Sequence, residues 1–497
     1  MTIAGGAAAQ EGPDDAPPPD TPEAQDSEPA PLQSIPVEPA TEAAPAPAPQ
    51  RAERRKPVLE EVIVTAQKRE ESLQDAPVSV TAFDARALEQ RGIQGTQDLA
   101  GSVPGVNIEP FPINLATLRI FIRGIGILDA QVTQDAPISV YQDGVYIGRS
   151  VGLAFDVADL QRIEVLRGPQ GTLYGRNTTG GAVNLITQKP STDGFTMSHK
   201  LSYASRNYLQ GKSVLNVPFG ENLAVKLAAL VGSADGFMEN TGPGGDFGDK
   251  YDRSVRFDAR WTPTDWLTAD YAFDYSTTIY YQYPFQAITT PESDHGQAEP
   301  FKRYAQTQTV YSTRRLDSLA TTAPMEESRV RIGGHAVTLT APIDAIEAEL
   351  KYIVAYRRLF DESYPDLGGG KGSPNYRLDT NVYDGAAAFE AIGGPTPLAW
   401  LRTSQEQWSH ELQLSGSLAD YGVQYIAGLF YFDEDAWDDY GDTLVHRFDT
   451  LVAPNELQPL IALNPELAAL LLDNVSPRIV NFAGGQNDVA NESVAAY

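Results

Sequence analysis

Several absences narrow this chain before any motif is read. Its 497 residues include no cysteine, so neither a disulfide framework nor a Cys-based metal site can be built. No run approaches the roughly 18 uncharged apolar residues that a membrane-spanning helix requires. The most apolar stretch, 459–472, is interrupted by Asn464, Pro465 and Glu466. Basic residues are scarce: 37 Lys and Arg stand against 66 Asp and Glu, a formal net charge of −29. That argues against a nucleic-acid partner, because phosphate binding needs clustered cations. A nucleotide loop is missing too, since Gly124-Ile125-Gly126 lacks the third glycine of G-x-G-x-x-G and no Lys-Ser/Thr follows a glycine loop. The five histidines (199, 295, 335, 410 and 446) are scattered without metal-ligand spacing. Neither a metal site, a bound cofactor nor a catalytic group is expected.

What is present begins with a tether. Residues 1–10 are nearly uncharged, and Ala7-Ala8-Ala9 resembles the small-residue end of a secretory signal. Residues 11–50 then hold twelve prolines, nine Asp or Glu and no Lys or Arg. Such a segment cannot bury enough apolar surface to offset its ordering entropy, so it reads as an acidic, extended tether. Residues 51–56 flip the charge sign. Val62-Ile63-Val64 follows as a short β-branched run, suited to pairing with the edge of a partner's sheet.

The organising stretch is 162–190. A strand at 162–166 runs into Arg167-Gly168-Pro169, further glycines crowd 171–181, and a second strand at 182–187 closes the unit. Gly168 permits backbone angles closed to other residues and Pro169 fixes its own φ, so the unit is compact and turn-rich. Upstream, Asp84 is placed to cap a helix through Leu88 to Arg91 that Gly92 ends. A second short helix is expected at 96–100, strands at 78–81, 118–123 and 138–141, and irregular loops at 109–117 and 126–136.

From residue 195 the pattern alternates with period two. Val255, Phe257, Ala259 and Trp261 interleave with Arg256, Asp258 and Arg260, and residues 267–276 and 346–357 repeat the pattern. Strands of about ten residues suit a tilted bilayer crossing. The connections are short at 218–222, 262–265 and 342–345 and long at 277–328, 359–403 and 433–489. Short turns on one side and long loops on the other are the pattern of outer-membrane barrels. A soluble sandwich also alternates, but does not require that asymmetry.

These residues together resemble the TonB-dependent outer-membrane receptors of the iron-complex or siderophore type. The resemblance rests on the strand, "LRGP", "YG" and "GG.VN..T" order of 162–190, on Ile122-Arg123-Gly124-Ile125, and on 140–146. It rests also on 60–66, which is similar to the family's TonB box. It covers 58–190 densely and the remainder by architecture. The fold it implies is an α+β plug domain followed by a transmembrane antiparallel β-barrel, with about 10 of roughly 22 strands present. An open sheet of that size would leave unpaired edges in hydrocarbon, so the chain is expected to be truncated within the barrel. The division expected is 1–57 tether, 58–72 TonB box and linker, 73–192 plug, and 193–497 the first part of the barrel with its long extracellular loops.

The implied activity is TonB-dependent import of a scarce ligand, most often a ferric siderophore, across the outer membrane of a Gram-negative bacterium. An oligosaccharide, cobalamin or haem remains open, as do a passive porin, an adhesin barrel and a non-functional fragment. The implied partners are TonB with its energising inner-membrane complex, outer-membrane lipid and a small iron chelate. The resemblance places TonB pairing on Glu61, Val62, Ile63, Val64, Thr65 and Ala66. It matches Arg123 and Arg167 to arginines that tie plug to barrel. Glu411 is their candidate partner, turned inward because Leu412 and Leu414 face lipid. Ligand contacts are expected from Phe111, Asn114, Gln131, Tyr280 and Tyr281. The aromatics at 280–285 suit a catecholate chelate, a sugar or an aromatic girdle equally.

Overall fold

The computed structural model describes residues 62–284, 314–319, 326–365, 399–447 and 478–497, apart from 94, 113, 130, 152, 154–158, 242–243, 315 and 419–420. The tether, Glu61, Phe285 and most of the three long connections lie outside the described residues. Among those described, no helix is long and apolar enough to cross a membrane. The protein's long elements are strands.

Ten of them form one antiparallel sheet, from Thr196–Ala204 to Arg478–Ala496, each pairing with its neighbour in chain order. The faces of this wall are inverted relative to a soluble protein. Leu201, Tyr203, Trp261, Trp408 and Leu412 are exposed on the outward side. Lys226, Arg256, Asp258, Arg357, Gln407, Glu411 and Glu434 are buried on the inward side. Apolar residues outside and charged residues inside are what a lipid solvent selects.

The wall strands are longer than the alternation suggested. Ala399–Leu418 and Val423–Arg447 run 20 and 25 residues, and Arg478–Ala496 is a full strand paired along its length. Much of what reads as loop at 433–489 is therefore strand. Backbone pairing continues above the bilayer, where both faces can be polar and the hydrophobic period that marks a strand disappears.

Inside the wall's polar face sits a mixed α/β unit. Its five-stranded sheet is ordered Val80–Asp84, Leu160–Arg167, Gly181–Thr187, Ile138–Gln142, Val145–Ile147. Only Gly181–Thr187 against Ile138–Gln142 is parallel. Both faces of this sheet are covered, so its central strands read as apolar runs: Ile163, Val165, Leu166, Val183 and Leu185 are fully buried. Gly181 sits at φ 152 with the Leu166 carbonyl oxygen pressed against where a Cβ would stand, so only glycine fits that crossing.

The helix Ala85–Arg91 forms as its caps dictate. Asp84 accepts from Ala87 N–H at 2.7 Å, and Gly92 closes it at φ 67. The second helix contracts to a 3₁₀ turn, Gln97–Leu99. The expected loop at 109–117 is instead a β-hairpin, Val106–Phe111 against Asn114–Ile122. The ladder absorbs Pro110 beside a register shift at Pro110/Phe111.

Candidate functional site

The chain's first described residues, 62–73, dock between this inner unit and the wall. Ile63–Val64 pairs with Glu71–Ser72 in a two-residue antiparallel ladder, and Lys68 takes φ 58 at the bend. Val64 and Ala66 are fully buried against Tyr141, Leu166, Tyr174 and Phe432. Residues 62–66 are thus self-paired and packed, rather than an exposed strand standing alone.

Glu164, completely buried on the central strand, fixes this segment. One of its oxygens accepts from Thr65 N–H at 2.7 Å and from Arg162 Nε at 2.8 Å, and the other from Asn184 Nδ2 at 3.2 Å. Tyr174 donates its hydroxyl to Thr65 O at 3.2 Å and accepts from Asn184 at 2.8 Å. Burial pushes the Tyr174 hydroxyl pKa up, so it stays a donor. Three residues on from Thr65, Lys68 donates to Glu411 on the wall while its ammonium lies 5.5 Å from the Tyr174 ring and 5.0 Å from the Tyr497 ring. Beside it a cavity of about 570 Å³ opens between inner unit and wall, lined by Thr65, Lys68, Asp143, Arg260, Thr340 and Glu349 among others.

Three more charged ties cross the same seam. Arg149 makes a bidentate pair with Glu434, 2.8 and 2.5 Å, with both side chains almost fully enclosed. Gln407 reinforces it, accepting from Gly148 N–H at 3.0 Å and donating to Tyr146 O at 2.7 Å. On the other two the signs reverse. Asp143, at the Asp143-Gly144 turn, accepts from wall Arg256 at 2.6 Å, and Arg256 is shared with Asp258 at 2.7 Å. Lys226 on the wall reaches Asp159 at 2.7 Å. Burial alone would push the Asp143 carboxyl pKa up. Lys189 and Arg256 beside it, with hydrogen bonds from Thr187, hold it well below the usual carboxylate range.

The residues singled out from sequence divide accordingly. Glu411 does face inward, at 3% exposure, but the Arg167–Glu411 pair does not form. Arg167 donates to Pro104 O at 3.2 Å and Arg123 to Ser79 Oγ at 3.1 Å. The two arginines flank the Gly168 turn and are taken up by the inner unit's own oxygens, while Glu411 also accepts from Tyr497 at 2.6 Å.

Asn114 and Tyr280 are brought together, Tyr280 donating to Asn114 Oδ1 at 3.1 Å, with Asp361 and Ser363 completing the cluster. Both are fully buried, so they tie the 106–122 hairpin to the wall and present no surface to an external ligand. Phe111 is half-buried beneath Arg119, 5.9 Å away, and Gln131 is exposed. Tyr281 packs in a separate cluster with Met238, Phe247 and Leu319. Lys68, Asp143, Arg149 and Glu164 were missed; of these only the Asp143-Gly144 turn carries a local signal, and it marks a turn rather than a tie.

Comparison with known proteins agrees with this arrangement. Residues 72–182 match the TonB-dependent Receptor Plug Domain. A pesticin receptor of Yersinia pestis is 32% identical over 189 residues, 37% of this chain and 27% of that protein. Among solved structures, the ferric yersiniabactin uptake receptor FyuA from Yersinia pestis superposes with a TM-score of 0.55 at 17% identity, covering 84% of this chain and 62% of that one. The siderophore receptor PiuA from Acinetobacter baumannii gives 0.56 at 15%, covering 86% and 56%. The chain thus spans less than two thirds of the receptors it resembles. A plug-domain match over residues 72–182 and a shared fold are what link this chain, with its polar-lined wall, to the TonB-dependent outer-membrane receptors.

Proposed function

We propose that this chain serves TonB-dependent import of a ferric siderophore across the outer membrane, with residues 61–66 as the segment that TonB engages. The working division is the tether 1–57, the coupling segment 58–72, the plug 73–192 and the barrel portion 193–497. The observation that carries this reading is the state of 62–66. A β-branched strand on the short-turn side is held by a two-residue ladder and a handful of polar contacts, so a competing sheet edge can replace its partner without unfolding the plug.

The chelate assignment draws on the names of the relatives, a pesticin receptor and receptors for ferric yersiniabactin and siderophores. The seam supports active rather than passive traffic. A plug tied to its wall by Lys68–Glu411, Arg149–Glu434 and Asp143–Arg256 closes the lumen until work is done on it. Charged ties suit that role because each is directional, and separating a pair exposes two groups that water can solvate.

Proline is the direct probe, because it removes the main-chain donor that strand pairing needs. Val64 is fully enclosed, so a proline there would also disturb packing. Ile63 is 39% exposed and is the better position. Ile63→Pro in the intact receptor should abolish energised uptake of ⁵⁵Fe-labelled chelates while leaving their binding to outer membranes unchanged. Uptake at the wild-type rate would remove 61–66 from the coupling role. Abundance in outer membranes of iron-starved, iron-replete and glycan-grown cells tests the ligand separately. Induction by a glycan with no response to iron would end the siderophore reading and leave TonB coupling standing.

A further inference from the structure

Residues 168–180 form a loop that is clasped twice. Gly168 N–H donates to the Gly180 carbonyl at 2.9 Å, and Gln170 N–H to the Thr178 carbonyl at 3.0 Å. Between the clasps, Gly171–Tyr174 makes one helical turn, and Gly175 (φ 75) and Asn177 (φ 63) reverse the chain. Thr178 Oγ1 braces the reversal, donating to the Gly175 carbonyl at 2.7 Å. A hydrogen-bonded element closed in this way passes a displacement at one end to the other.

The loop grips a different neighbour at each end. Tyr174 faces the coupling segment: its hydroxyl donates to the Thr65 carbonyl at 3.2 Å, and its ring lies 5.5 Å from the Lys68 ammonium. Tyr141 packs on that ring, centroids 5.2 Å apart, and donates to the Tyr174 carbonyl at 2.6 Å. Two residues on, Arg176 donates to Asp135 at 2.6 Å, with its guanidinium 5.9 Å from the ring of Phe432 on the wall. Asp135 belongs to the 126–136 segment, in which Leu128 and Gln131 are exposed. The same carboxylate lies 3.5 Å from Arg149, the bidentate partner of Glu434.

Depth gives the arrangement a direction. At ~3.3 Å per residue and a tilt of ~40°, Glu434 stands roughly 28 Å above the short turn at 418–423 and Glu411 roughly 18 Å. The Asp135–Arg149 end, tied to Glu434, is thus on the long-loop side. It lies roughly 10 Å further out than the end that meets Thr65 and Lys68.

We propose that the 168–180 loop is a lever that sets the hold on the coupling segment, with Asp135–Arg176 as its input and Tyr174–Thr65 as its output. The proposal rests on 61–66 being the segment that TonB engages. A shift of the 126–136 segment withdraws Asp135 from Arg176 and Arg149 together, so one movement loosens a seam tie and tips the loop. Tyr174 then leaves the Thr65 carbonyl, and a strand held by a two-residue ladder loses one of its few polar anchors. Coupling free energy is reciprocal, so displacing 62–66 loosens 126–136 in turn.

The test is amide hydrogen exchange, read by mass spectrometry, on the intact receptor in mild detergent, with peptides over 62–73, 126–136 and 106–122. Arg176→Gln and Asp135→Asn should each speed exchange in 62–73 about three-fold, as suits loss of a partly exposed ion pair. Tyr174→Phe keeps the ring and removes one hydrogen bond, and should speed it about five-fold. Arg176→Lys keeps the charge and should stay within about two-fold of wild type. Asp135→Asn with Arg176→Gln should be no faster than Asp135→Asn alone, because both remove the same contact. Ile63→Pro should speed exchange in 126–136.

The hairpin 106–122 should be unchanged throughout, which separates a lever from general loosening of the plug. Unchanged exchange in 62–73 for Arg176→Gln and Asp135→Asn overturns the proposal, as does an equal rise in 106–122. Both side chains are partly exposed, so these variants should assemble. Should either fail to, Tyr174→Phe must still speed 62–73 and Ile63→Pro must still speed 126–136 for the lever to stand. Wild-type uptake by Ile63→Pro with this exchange pattern intact would end the TonB reading and leave the lever. Lost uptake with no exchange coupling would end the lever alone.

Discussion

The plug's interior and the seam between plug and wall are buried alike, yet they are built from opposite chemistry. Inside the plug, Leu118, Ile122, Ile163, Val165, Val183 and Leu185 pack with almost no exposure. At the seam, the groups removed from water include Lys68, Asp143, Arg149, Lys226, Arg256, Glu411 and Glu434. An apolar core gains stability roughly in proportion to area, tolerates small shifts and has no preferred point of rupture. A buried ion pair gains little net stability against an apolar replacement, but breaking one partner is severe. The plug's core loses stability by degrees and the seam pair by pair.

The seam gives the largest expected effect. Arg149→Leu leaves Glu434 enclosed without its bidentate partner, and losing one member of a buried pair costs roughly 3–5 kcal/mol. Thermal or urea release of the plug in the intact receptor should show that loss. Adding Glu434→Leu should restore most of it, because the stranded charge is then gone. If the double variant is as weak as the single one, the seam depends on Arg149 for something other than charge pairing.

The core should behave differently under the same measurement. Leu185→Ala removes packing from a fully buried strand position, a loss of about 2–4 kcal/mol of the kind that a residual cavity sets. No partner substitution should rescue it as Glu434→Leu rescues Arg149→Leu, since no single neighbour is left stranded. Rescue by one second-site change would mean that core and seam are less distinct than their chemistry suggests.

How much of this was legible in the sequence follows the same division. The Ala85–Arg91 helix was readable because Asp84 and Gly92 act within a few residues of the bonds they cap. The wall was readable where one face meets lipid, as at 255–261, because a period of two is the direct record of that boundary. It stopped being readable at 433–447, where Asp433, Glu434, Asp435, Asp438 and Asp439 make both faces polar and pairing continues without a hydrophobic signature. The seam was hardest. Lys68 and Glu411 lie 343 positions apart, and nothing local to either marks the other. The family resemblance pointed to Arg167, while a lysine in an ordinary linker holds the contact.

The smallest effect sharpens the comparison through pH, because protons act on the seam and not on an apolar core. Asp143 is held well below the usual carboxylate range by Lys189, Arg256 and Thr187, against the upward push of its burial. A group whose pKa is depressed on folding adds stability that is present above its unfolded value, near 4, and that fades as pH falls toward the folded one. Plug release should therefore become easier as pH drops below about 4. Asp143→Asn should weaken the seam at neutral pH and flatten that acid dependence, since an amide cannot be protonated there. Leu185→Ala should shift the whole curve without changing its slope. An Asp143→Asn receptor that keeps the full acid dependence would place the proton-sensitive tie elsewhere and would leave Asp143 a turn residue that happens to face an arginine.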